Sequence, residues 1–136
     1  MYEATYFERC LAKRPVIVEA LKRYKNRFTH LIEDEEIKLG NDFLKSDLLL
    51  HAGDIQNALS NMNDLKNVEI IVEIIDHYRK IICDALSSYK KDLEDAGKIA
   101  RNKLGDDTIA FANLQKAINT IAETQKLVNC DEQNRF

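Results

Sequence analysis

The stretch from Leu65 to about Lys103 constrains this chain more than any other. Val68, Ile71, Ile75, Tyr78, Ile82, Ala85, Tyr89 and Leu93 recur at steps of three or four residues, which lays one apolar seam along one face of a helix. A second row, Ile70, Ile74, His77 and Ile81, runs beside it and widens that face enough for more than one neighbour. No proline interrupts the stretch, and its first glycine after the seam begins, Gly97, comes near the end. Such a helix is expected at the centre of a bundle. Its length is awkward: at 1.5 Å per residue, roughly forty residues span about 60 Å, against about 30 Å for a helix half as long. The segment therefore either projects past its neighbours or breaks near Ser87-Ser88 or around Gly97.

The remaining seams complete an all-α reading. Four glycines and one proline leave little turn chemistry for a sheet, and alternating apolar and polar runs are missing. Residues 1–14 read as a short helical arm carrying Tyr2, Tyr6, Phe7, Cys10 and Leu11, with Pro15 as the first residue of the next helix. Ile17, Leu21, Tyr24, Phe28 and Leu31 form the first long seam, which stops at Gly40-Asn41-Asp42. Leu44, Leu48, His51 or Ala52, Ile55, Leu59 and Met62 form the second, weakened by about 1 kcal/mol at Gly53, where a kink is expected. Asn61 to Asp64 supplies the next turn, and Gly105-Asp106-Asp107 the one after the third helix. Phe111, Leu114, Ile118, Ile121, Gln125 and Val128 form the last seam. The expected architecture is a four-helix up-down-up-down bundle over residues 15–128, with a long central third helix, an N-terminal arm and a polar tail at 129–136.

Charge and cysteine usage narrow the function classes. A formal charge of −3 is too mild to imply a strongly basic or acidic partner. Cys10, Cys83 and Cys130 are odd in number and widely spaced, which argues against a disulfide framework or a cysteine zinc site and points to a reducing, cytoplasmic setting. Acids within the first ten residues leave no signal-peptide core, and apolar runs of three or four residues are too short for a membrane-spanning helix. No pattern calls for a cofactor. Glycine-rich phosphate loops, GxSxG and a cysteine with a histidine nearby in sequence are all missing.

Two constellations carry chemistry. Turns near Gly40 and Asn63 would set His30, His51 and His77 at similar heights on three antiparallel helices, with Glu73 one turn before His77. Three imidazoles and a carboxylate would suit a divalent metal such as zinc, in an enzyme or a sensor. The ferritin-like pattern fails, because the residues three before each histidine are Arg27, Leu48 and Ile74. The second constellation is basic: Lys90, Lys91, Lys98, Arg101 and Lys103 would form a membrane-surface or nucleic-acid strip, but Asp92, Glu94 and Asp95 interleave with them and no aromatic platform accompanies them. Surplus apolar surface favours a third reading, a non-enzymatic protein–protein interaction module that docks a partner or a second copy. Its expected interface is Tyr2, Tyr6 and Phe7 on the arm with Tyr89, Leu93 and Leu104 on the far part of the third helix.

Overall fold

The longest helix is the first one, not the third. In a computed structural model describing residues 4–38, 42–63, 68–104 and 108–130, with side chains over 6–33, 48–63, 69–101 and 112–130, α1 runs unbroken from Ala4 to Lys38. It is followed by α2 (Asp42–Asn63), a 3-10 turn (Val68–Ile70), α3 (Ile71–His77), α4 (Arg79–Leu104) and α5 (Thr108–Leu127). The described residues thus form five α-helices and no strand. The turn residues Gly40-Asn41, Asp64 and Gly105-Asp106-Asp107 lie outside them, as do Tyr2 and residues 131–136.

Pro15 lies inside α1 and does not start it. Proline has no backbone N–H, so the Leu11 carbonyl loses its helical partner, a local loss of about 3 kcal/mol in a helix interior. Tertiary contacts outweigh it. Cys10 before the proline and Ile17 after it are both fully buried. Beside the proline, Arg14 donates from Nε to the Met62 carbonyl (2.6 Å) and from Nη2 to the Asn63 carbonyl (2.8 Å). Those are the final carbonyls of α2, which a helix leaves without partners of its own. The arm expected to be separate is therefore the first three turns of α1, held down by the end of α2.

The wide-faced segment breaks at Tyr78, earlier than either expected position. Tyr78 has φ −105° and ψ 20°, outside the helical basin. The chain bends there while keeping two helical hydrogen bonds, Tyr78 N–H to the Ile74 carbonyl and Ile82 N–H to the Tyr78 carbonyl. Asn61 of α2 fixes the bend by donating to the Tyr78 hydroxyl at 3.2 Å. Neither Ser87-Ser88 nor Gly97 interrupts α4. Gly97 has a different role: a Cβ there would come within 2.7 Å of Leu114 Cδ2, so the missing side chain is what lets α5 approach α4. Gly53 likewise leaves α2 continuous, with open space around it.

Helix pairing follows from side-chain partners. Arg14 meets Met62 and Asn63 while Phe28 meets His51, so α1 and α2 run in opposite senses. Arg23 lies over the Tyr89 ring and Arg27 pairs with Asp92, so α1 and α4 run in the same sense. Gln125 reaches Ser87 while Leu114 meets Gly97, which sets α5 against α4. α1 packs on all four other helices, whereas α2 and α5 scarcely touch one another. α4, the longer part of the expected third helix, likewise packs on all the others, so α1 and α4 share the central place.

The core sits at one end of these helices. Its buried members are Cys10, Ile17, Ala20 and Leu21 of α1, Ile55, Ala58, Leu59 and Met62 of α2, and Ile71, Val72, Ile74 and Ile75 of α3. Ile82, Cys83, Ala85 and Leu86 of α4 join them, with Ile121, Val128 and Cys130 from the end of the chain. Beyond Leu86, no described α4 residue is fully buried.

Two mutational outcomes follow. Ile75→Ala is expected to lower stability by about 2–5 kcal/mol and Ile99→Ala by no more than about 0.5 kcal/mol, since only the first empties a packed site. Gly53→Ala is expected to raise stability by about 0.5–1 kcal/mol, because the helix gains propensity and the added methyl meets nothing. Thermal and denaturant unfolding of the three variants checks both.

Candidate functional site

The four residues of the expected metal site lie in separate surroundings. His30 is exposed and faces Glu33 one turn on, with Nδ1 at 3.9 Å from the carboxylate. His51 stacks obliquely against Phe28 at 5.6 Å between ring centroids. His77 sits edge-to-face on its neighbour Tyr78 at 4.6 Å, and Glu73 is exposed on α3. Among the described residues, no three histidine, cysteine, aspartate or glutamate side chains gather closely enough to hold a metal ion. The aromatic contacts explain the seam positions of His51 and His77: each ring covers apolar surface and keeps a polar edge in water.

The expected interface is largely covered from within. Tyr6, Phe7, Tyr89 and Leu93 are partly buried against the core, while Tyr2 and the Leu104 side chain lie outside the described residues. Tyr89 carries the Arg23 guanidinium over its ring at 4.6 Å, a cation–π contact. The arm packs because α1 does not end at Pro15. Leu93 is partly buried against the core, and four residues on, at Gly97, Leu114 of α5 comes close to α4.

The basic strip is interrupted by its own acids. Of the acids interleaved with it, Asp92 accepts from Arg27 of α1 at 2.5 Å. No described helix is long and apolar enough to cross a membrane.

The exposed large apolar side chains are others: Leu31, Leu49, Leu50 and Ile99, with Ile70 at the 3-10 turn. Leu50 is 70% exposed and Ile99 57%. The Phe28–His51 and Arg27–Asp92 pairings place Leu31, Leu49, Leu50 and Ile99 at the same end of the helices, opposite the core. Sequence reasoning counted Leu31 in the first seam and passed over the others. One signal was available: Leu48-Leu49-Leu50 are consecutive, and three adjacent helical positions span too wide an arc to face one core.

The cysteines need a correction. Cys83 and Cys130 form a disulfide, with Cα atoms 5.5 Å apart across a sequence separation of 47. Their spacing in sequence argued against a bond. Opposed packing of α4 and α5 removes that spacing in space, and the inference from unpaired cysteines to a reducing compartment falls with it. Asn129, at φ 59°, takes the left-handed conformation that turns the chain off the end of α5 and brings Cys130 back onto α4. The Asn129 N–H donates to the Lys126 carbonyl at 3.2 Å as the helix closes.

Cys10 is the remaining thiol and is fully buried. Burial pushes its pKa up, Asp76 adds to the rise, and a hydrogen bond with Tyr6 opposes it. Tyr24 is also raised, by burial first and then by Asp84, against the pull of Arg27.

Comparison with known proteins finds no matching family model, no similar curated protein and no similar solved structure.

The raised groups fix a pH dependence. Both bind their protons more tightly folded than unfolded, so their contribution to stability is complete at neutral pH and is lost as pH rises through the ionisation range. The melting temperature is expected to fall above about pH 8.5, where an unperturbed thiol begins to ionise. Cys10→Ala should flatten the first part of that fall, whatever it does to the neutral value. Thermal melts of both proteins across an alkaline pH series provide the check.

Proposed function

We propose that this chain is a non-enzymatic protein–protein interaction module whose docking face is the open end opposite its core. One observation carries the reading: Leu31, Leu49, Leu50 and Ile99 are exposed at that same end, on three different helices. Soluble monomers rarely keep extended apolar surface uncovered, and association supplies the cover. The nearest available cover is a second copy, whose own open end presents the same residues, so an isologous pair would bury both clusters at once. The reading also takes the helices as an up-down-up-down bundle. The opposed pairings of α1 with α2 and of α4 with α5 support that arrangement, as does the like sense of α1 and α4.

Light scattering across a concentration series tests the reading, with Leu49→Asp/Leu50→Asp as the comparison. The wild-type protein is expected to gain mass with concentration and the variant to stay monomeric with an unchanged melting temperature, since neither leucine is in the core. A wild-type protein that is strictly monomeric removes self-association and leaves a different partner protein. If a hydrophobic dye then binds wild type and variant equally, the apolar face does not exist and the reading fails.

A further inference from the structure

We propose that the Cys83–Cys130 disulfide is a redox-operated clamp that holds the C-terminal end of α5 onto the rest of the fold and releases it on reduction. The inference is independent of the docking face at the opposite end.

The argument begins with how little else holds that end. Among the described side chains of α5 and the residues just after it, the buried ones besides Cys130 are Ile121, Thr124 and Val128, with Leu127 partly buried against the core. Thr124 brings no polar bond to a neighbouring helix, because its hydroxyl donates to the Thr120 carbonyl of its own helix at 2.8 Å. The other named ties are exposed: Gln125 Nε2 to Ser87 Oγ at 3.2 Å, and the Lys13–Glu123 ion pair at 3.2 Å. Exposed polar ties of this kind contribute little net stability, because water competes for both partners. Helices α1 to α4, by contrast, each place four hydrophobic side chains in the core. They keep a shared interior when α5 leaves, and α2 scarcely touches α5 at all.

The position of the bond suits reversible reduction. Cys130 is 9% exposed and follows the left-handed Asn129, so it lies beyond the regular hydrogen bonding of α5. Cys130 is the last described residue and the least buried member of the core, and a local opening at that end would present its sulfur to a reductant. The chemistry is a two-electron exchange with a dithiol of the CxxC or small-molecule type. A reductant thiolate attacks one sulfur, and the S–S bond breaks to give a mixed disulfide and a free thiolate on the protein. The reductant's second thiol then displaces the other protein sulfur. The products are Cys83 and Cys130 as thiols, after proton uptake, and the reductant as its own disulfide. Reoxidation by a disulfide of that class runs the same steps backward. Cys10 takes no part.

Intact mass, alkylation and amide hydrogen exchange on the full chain, with and without dithiothreitol, test the clamp. Without reductant the chain should be two hydrogens lighter than its fully reduced mass. With reductant, Cys83 and Cys130 should alkylate readily while Cys10 stays protected. Exchange should then rise across α5 at least tenfold and stay unchanged in the core segments of α1, α2 and α3. Cys83→Ser/Cys130→Ser should show the loosened α5 in both conditions, which separates the bond from any effect of dithiothreitol elsewhere. Three free thiols in air-equilibrated protein would overturn the proposal. So would an α5 equally protected in both states, which makes the bond dispensable, or a reduced protein that loses protection throughout, which makes it a staple for the whole fold.

Discussion

Burial of one face of α1 is the constraint on which the rest depends. Ile17, Ala20 and Leu21 are within 1% of complete burial, and α1, like α4, packs against all the other helices, α1 the more extensively. Helices α2 and α5 flank this line without closing on each other. Removing α1 would leave α2 facing α3 and α4 along short contacts, and α5 facing α4 alone. Propagating α1 through Pro15 keeps that shared face continuous, and the Arg14 bonds to the end of α2 offset part of the local loss.

Helical identity was legible because it is a local property. Three-four spacing in the seams over residues 68–93, 17–31, 44–62 and 111–128 follows from the helix repeat whatever the neighbours do, and helices stand in all four places. What the spacing does not contain is height along the axis. Leu31 continues the seam of Ile17, Leu21 and Tyr24 without a change of period, yet it is exposed while they are covered. Cover depends on where the neighbouring helices put their own apolar residues, and that is a property of pairs. The same gap explains the histidines: similar expected height placed them together, but orientation around each helix axis sends His30 to solvent, His51 to Phe28 and His77 to Tyr78.

Helix breaks and bonds misled for a related reason. A proline argues for a start and a glycine for a stop only when local terms decide. At Pro15 the packed residues on either side decide, and at Gly97 the nearby Leu114 does. Tyr78 carries no breaking signal in its type; its bend is tied to Asn61, seventeen positions away in the chain. Cys83 and Cys130 gave the opposite of their outcome, since sequence separation says nothing of distance once two helices fold back to back.

The two ends of the molecule therefore differ in kind, and α5 spans both. Near its C-terminus it meets the closed end, through Ile121, Val128 and the disulfide. Toward its N-terminus, Leu114 lies against Gly97, in the half of α4 that carries the exposed Ile99. A helix transmits a change at one end to the other only if it moves as a rigid unit, and nothing buried anchors the described part of α5 before Ile121. That half is positioned by its attachment below and by the fit of Leu114 into the space Gly97 leaves. The C-terminal half is held by more: Ile121 and Val128 are buried, Gln125 reaches Ser87, and Glu123 pairs with Lys13 of α1.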